Sequence, residues 1–184
     1  MIYLDMDGFL AEYDYSIYAK KNPAWNDVGS HVFRDVKRDE FVYMIVNKLS
    51  EVMQNDLYIL TSVCGSNAEI RNEQIMDKMN WTAKFYPQLN LCNFIACESD
   101  KRNVISKIKG FRLTKSDILI DDYKKNLFAW TEAGGTAIKY LNGINSVGCW
   151  PGTVIEQPKV GVPLDVAADE AVSMILRTWY ESSK

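Results

Sequence analysis

The chain has 184 residues, of which 47% are hydrophobic and 24% charged, and its net charge is −3. That length suits one domain with room for a small insertion, and the composition is that of a globular protein with a core of useful size. The mildly negative charge argues against a long polyanion as partner, so an anionic substrate would need a local cluster of positive groups.

Taken in order, residues 2–5 read as a first strand, with no basic and apolar leader before it and no run elsewhere of membrane-spanning length. A cytoplasmic protein with no membrane partner is therefore expected. Cys64, Cys92, Cys97 and Cys149 form no C-x-x-C, and His31 is the single histidine, so free thiols rather than zinc ligands are expected. Residues 9–38 break the regular pattern: they are rich in aromatics (Tyr13, Tyr15, Tyr18, Trp25, Phe33) and contain Pro23 and Gly29. They read as a small, mainly helical insertion over the site, with 11–38 as the inserted unit and 1–10 plus 39–184 as the core.

Apolar groups at Phe41, Met44, Ile45, Leu49 and Val52 predict a helix over 40–53. Strands are expected at 57–62, 93–97, 118–121 and 136–141. Ser66-Asn67-Ala68-Glu69 reads as a capping box opening a helix to about residue 79. Residues 100–109 and 124–133 read as two further helices, the second ended by Gly134-Gly135. Residues 142–162 look irregular, and Asp165 is placed as the cap of a last helix over about 167–180. Strands alternating with helices predict an α/β fold with a mostly parallel sheet, whose ligands sit beyond the carboxyl ends of the strands.

Those strand ends carry the reactive residues. Asp5 and Asp7, one residue apart at the end of the first strand, can share a hard cation, which relieves their repulsion. Thr61-Ser62 ends the second strand, Asp100-Lys101-Arg102 opens the helix after the third, and Asp121-Asp122 ends the fourth. Each has an ordinary structural explanation: a loop hydroxyl pair, a solvated lysine, a cap. Their joint occurrence composes a phosphoryl-transfer site. Asp5 would attack phosphorus, and Asp7 would serve as acid and then base. Thr61 and Lys101 would hold the phosphoryl oxygens, and Mg²⁺ would sit among Asp5, Asp7, Asp121 and Asp122.

The set D-M-D-G, I-L-T-S, the lysine of S-D-K-R and I-L-I-D-D resembles the haloacid dehalogenase superfamily of phosphatases, matched in order from Asp5 to Asp122. The resemblance implies a Rossmann-like, three-layer αβα core with a cap between the first two motifs. It supports Asp5 as nucleophile and Asp7 as acid/base. For the third motif Lys101 is preferred over Lys84, Lys107, Lys109 and Lys115. Within the superfamily, D-M-D-G-F-L-A-E-Y, I-L-I-D-D-Y-K-K-N-L and G-G-T-A-I-K-Y-L-N-G are similar to the bacterial and phage 5′(3′)-deoxyribonucleotidases. That likeness implies that the aromatic at Tyr13 packs on the nucleobase, and it makes Trp25 and Phe33 candidates for the same surface. With Phe9 and Ser62 they form the candidate substrate-binding set. The expected activity is Mg²⁺-dependent hydrolysis of a small phosphate ester, a (deoxy)nucleoside monophosphate. A sugar-phosphate phosphatase and a non-catalytic nucleotide-binding module stand as alternatives, and a nucleic-acid substrate is disfavoured.

Overall fold

Strand β1 (Ile2–Leu4) is apolar at every position and fully buried, as a strand covered on both faces must be. The computed structural model describes residues 1–12, 33–53, 55–98, 100–110, 112–145 and 149–184. Around β1 run α1 (Glu40–Met53), β2 (Leu57–Ser62), α2 (Ala68–Phe85), β3 (Phe94–Cys97) and α3 (Lys101–Lys109). Then follow β4 (Ile118–Asp121), α4 (Lys124–Glu132), β5 (Thr136–Leu141), β6 (Val154–Glu156) and α5 (Leu164–Ser182).

The six strands form one sheet in the order β3-β2-β1-β4-β5-β6, and every pair is parallel. The chain builds outward from β1 through β2 to β3, then returns to start again at β4 on the other side of β1. This is the doubly wound order, and its switch point lies between β1 and β4. Asp5 and Asp7 follow β1 there, and Asp121 ends β4. Topology alone thus brings the acidic motifs together.

Alternation divides the core into two layers. Ile2 and Leu4, with Ile59, Ile118, Ile120 and Ile138, pack with α1, α5 and the end of α2 through Ile45, Leu49, Ala168, Ile175 and Trp81. Tyr3, Leu60, Leu119 and Ala137 pack on α3 and α4 through Ile105, Leu127 and Trp130. Each fully buried Leu or Ile contributes about 1.5–3 kcal/mol over its exposed state. Gly135 exists for this packing: a Cβ there would lie 2.2 Å from Trp130 Nε1.

The α/β class and five of the strands follow the sequence reading; several boundaries differ. Helix α2 is capped by Asn67, whose side chain accepts from Ile70 N at 2.9 Å, and not by Ser66. It runs on to Phe85 because nothing breaks it until Tyr86, the residue before Pro87. Helix α5 starts directly after Pro163, which places Asp165 in its first turn, where a carboxylate favours the helix dipole, and not at the cap. The irregular stretch contains β6, an edge strand of three residues whose only buried side chain is Ile155, too short for alternation to register. Among the described residues no helix is long and apolar enough to cross a membrane.

Most of the expected insertion, with Tyr13, Trp25 and His31, lies outside the described residues. Its two stems are anchored by α2: Tyr86 Oη donates to Leu10 O at 2.8 Å, and Trp81 Nε1 donates to Val36 O at 2.7 Å.

Candidate active site

The turn after β1 requires Gly8. Its φ is +87°, and a Cβ there would stand 2.5 Å from Asp122 Oδ2 and 2.9 Å from Asn142 Nδ2. This close approach lets the first acidic motif meet the fourth.

Asp5 is 5% exposed, and its Oδ1 accepts from Lys101 Nζ at 2.5 Å. Lys101, at the start of α3 and itself buried, also donates to Asp121 Oδ2 at 2.7 Å. Burial alone would lower the Lys101 ammonium pKa, but the carboxylates of Asp121 and Asp5 outweigh it and raise it. For Asp5, burial first and Asp121 second push the carboxyl well above its ordinary range, against the pull of Lys101. Lys84, Lys107 and Lys115, the competing choices, are solvent-exposed.

Asp5, Asp121 and Asp122 form a buried group able to hold a metal ion, each offering an oxygen within 4.8 Å of the others. Their three roles separate by what already occupies their oxygens. Asp121 Oδ1 accepts from Tyr123 N at 2.7 Å, and its Oδ2 accepts from Lys101 and from Asn126 Nδ2 at 2.9 Å. Asp122 Oδ2 is held by Asn142 Nδ2 at 2.8 Å and Asn145 Nδ2 at 2.6 Å. That leaves Asp5 Oδ2 and Asp122 Oδ1 without a hydrogen bond to any described residue. Two open carboxylate oxygens in an all-oxygen, negatively charged cluster suit a hard divalent cation. Burial, and then Asp121, raise Asp122 to about 6, opposed by the Asn145 and Asn142 hydrogen bonds. Lys139, fully buried on β5, fixes the backbone beneath it, donating to Asp122 O at 2.6 Å and Asn145 O at 2.8 Å.

Asp7 stands apart from that cluster. Its Oδ2 accepts from Lys78 Nζ at 2.5 Å and lies 3.5 Å from Thr61 Oγ1, and its side chain is 27% exposed. Lys78 also donates to Thr61 Oγ1 at 2.7 Å and to Ser62 O at 2.9 Å. Of the four carboxylates expected around the ion, the structure gathers three, while the Asp7 carboxylate is paired with Lys78. Thr61 is fully buried at the end of β2, and Ser62, beside it, is exposed.

Of the expected substrate-binding residues, Phe9 is fully buried and packs edge-on against Tyr140 at 5.1 Å. Its ring belongs to the core and not to the substrate surface: it follows a tight turn that points it inward. Phe33 is also buried, with its ring 4.0 Å from Lys78 Nζ.

Sequence reasoning missed Lys78, Lys139, Asn126, Asn142 and Asn145. Lys139 carried a signal, a lone charge inside the apolar strand T-A-I-K-Y-L. Lys78 carried almost none, because the inward stripe of α2 is itself polar (Gln74, Lys78, Thr82) and a search for apolar periodicity passes over it.

No protein-family model matches this chain, and no curated protein matches it in sequence. Solved structures do match in shape. A D,D-heptose 1,7-bisphosphate phosphatase from B. bronchiseptica, complexed with magnesium and phosphate, superposes with a TM-score of 0.57 at 13% identity, over 94% of this chain and 97% of that one. The D,D-heptose 1,7-bisphosphate phosphatase of Burkholderia thailandensis gives a TM-score of 0.55 at 11% identity, over 94% and 97%. At such identities the likeness is one of fold: this chain has the α/β architecture of those phosphatases along nearly its whole length.

Proposed function

We propose that the protein is a Mg²⁺-dependent phosphomonoesterase working through an aspartyl-phosphate on Asp5. The observation that carries this reading is the pairing of the two acids of Asp5-Met6-Asp7 with two different buried lysines, Asp5 within the Asp121 and Asp122 group and Asp7 outside it. Asp5, anchored through Oδ1 to Lys101, keeps Oδ2 open as nucleophile. It attacks phosphorus, the ester P–O bond breaks, and Asp7 gives a proton to the departing oxygen. In the second step Asp7 takes a proton from water, water oxygen bonds to phosphorus, and the bond to Asp5 breaks, releasing phosphate and restoring both acids.

Lys101 makes two hydrogen bonds to carboxylates, which leaves a third N–H for a phosphoryl oxygen. Thr61, whose hydroxyl lies beside Asp7 and accepts from Lys78, would bond a further phosphoryl oxygen. Asp5 and Asp122, with Asp121 behind them, would hold the ion, which when bound neutralises charge on the phosphoryl oxygens.

For substrate we propose (deoxy)nucleoside monophosphates, supported by the motif resemblance and the aromatic insertion following Asp7. The named substrate of the structural neighbours, a sugar bisphosphate, supports a second reading, a sugar-phosphate phosphatase. Phosphate release from a panel of deoxy- and ribonucleoside monophosphates and sugar phosphates, with Mg²⁺ and with EDTA, tests both. Fastest turnover of deoxynucleotides, lost in EDTA and in Asp5→Asn, is the expected result. Cleavage of sugar phosphates alone would overturn the nucleotide assignment, and no cleavage at all would overturn the phosphatase.

A further inference from the structure

The two-step chemistry gives Lys78 no task, yet this lysine is fully buried in the middle of the site. Its three N–H donors are all committed: to Asp7 Oδ2 at 2.5 Å, Thr61 Oγ1 at 2.7 Å and Ser62 O at 2.9 Å. The Phe33 ring covers the ammonium at 4.0 Å. A lysine in this state has no N–H left for a substrate oxygen, unlike Lys101. Burying a cation is costly unless it is paired and hydrogen-bonded, and here the pairing falls on the one acid that must reach the leaving group.

We propose that Lys78 is the positioning residue for Asp7: it pins Oδ2, with Thr61 alongside, so that Oδ1 faces the departing oxygen. Oδ1 has no hydrogen bond to any described residue, and the Asp7 side chain retains 27% exposure. The reach of Lys78 is set by α2, which Trp81 and Tyr86 tie to both stems of the insertion. Next to Lys78, Asp77 accepts from Arg34 Nε at 3.0 Å and 3.1 Å, and Phe33 shields the Lys78–Asp7 pair from water, which strengthens it. This inference rests on the aspartyl-phosphate reading.

The test is leaving-group dependence. p-Nitrophenyl phosphate releases a stable phenolate and needs no proton, whereas an alkyl phosphate, the best of the panel, does. The value of kcat/KM reports the steps up to the first bond cleavage, so slowed hydrolysis of the intermediate does not enter it. In Lys78→Met, kcat/KM for the alkyl phosphate is expected to fall about 100-fold, within the range for general acid catalysis, and for p-nitrophenyl phosphate by less than about fivefold. The ratio of the two is independent of the folded fraction, and Lys78→Gln replaces the first variant if that does not accumulate. Equal losses on both substrates, or failure of both variants to fold, would make Lys78 structural and overturn the proposal. A wild-type chain that cleaves neither substrate overturns the phosphatase reading, and this inference with it; a wild-type chain that cleaves both while the losses are equal overturns this inference alone.

Discussion

Two of the buried lysines of the site, Lys101 and Lys78, have opposite surroundings. Lys101 comes from the start of α3, on the layer built around Tyr3, Leu119 and Trp130, and bonds Asp5 and Asp121. Lys78 comes from the middle of α2, whose Trp81 belongs to the other layer, and bonds Asp7 and Thr61. One keeps a donor free and the other uses all three. On the proposed mechanism, two ammonium groups that look alike in sequence do different work: one would face substrate, the other would hold an acid in place. Burial alone does not make a lysine a ligand for phosphate; the number of donors left over does.

The comparison can be broken most severely at Asp5, the proposed nucleophile. Asp5→Asn keeps size and removes the attacking charge, and phosphate release should fall at least about a thousandfold, roughly 4 kcal/mol in barrier. Next, Lys101→Met removes the cation expected to face the phosphoryl group. It should lower kcat/KM by about 10²- to 10³-fold, equally for aryl and alkyl phosphates, where Lys78→Met discriminates between them. Equal patterns in the two lysine variants would erase the distinction drawn here.

Asn142→Ala should weaken activation by Mg²⁺ about 10- to 100-fold while leaving activity at saturating Mg²⁺ nearer to wild type, measured by titrating the ion. It frees Asp122 Oδ2 from one of its two amide partners and the Gly8 carbonyl from its hydrogen bond.

The smallest effect is on stability. Asp122 is raised from the ordinary 3.8 to about 6, chiefly by burial, so the folded chain holds that proton more tightly than the unfolded chain. Its contribution to stability is therefore full below about pH 4 and is lost as pH rises through about 6. Mg²⁺ binds the ionised cluster, so its stabilising shift in Tm should be largest near neutral pH and shrink as pH falls below about 6, read by thermal melts with and without the ion. A shift independent of pH would contradict the placement of the ion on Asp122.

Much of this site was legible in the sequence because its residues sit where strands end, and strand ends follow from apolar runs. Asp5, Thr61, Lys101 and Asp121 each adjoin such a boundary, and a doubly wound order brings their strands side by side. What escaped lies in mid-element or beyond it. Lys78 is inside a helix whose buried stripe is polar, and Asn142 and Asn145 follow β5 in a segment without periodicity. Phe9 shows the converse: next to the motif in sequence, it is turned into the core by the Gly8 bend. Distance along the chain located the strand ends, but only the folded chain shows which donors remain free.

The most direct test of the account is to trap the intermediate. Asp7→Asn should still let a substrate with a good leaving group phosphorylate the enzyme, while hydrolysis lacks its base. After incubation with p-nitrophenyl phosphate and Mg²⁺ and an acid quench, peptide mass spectrometry should find one phosphoryl group, on Asp5. Steady phosphate release by wild type with no phosphoryl group on Asp5 in the trapped variant would contradict covalent catalysis at this residue.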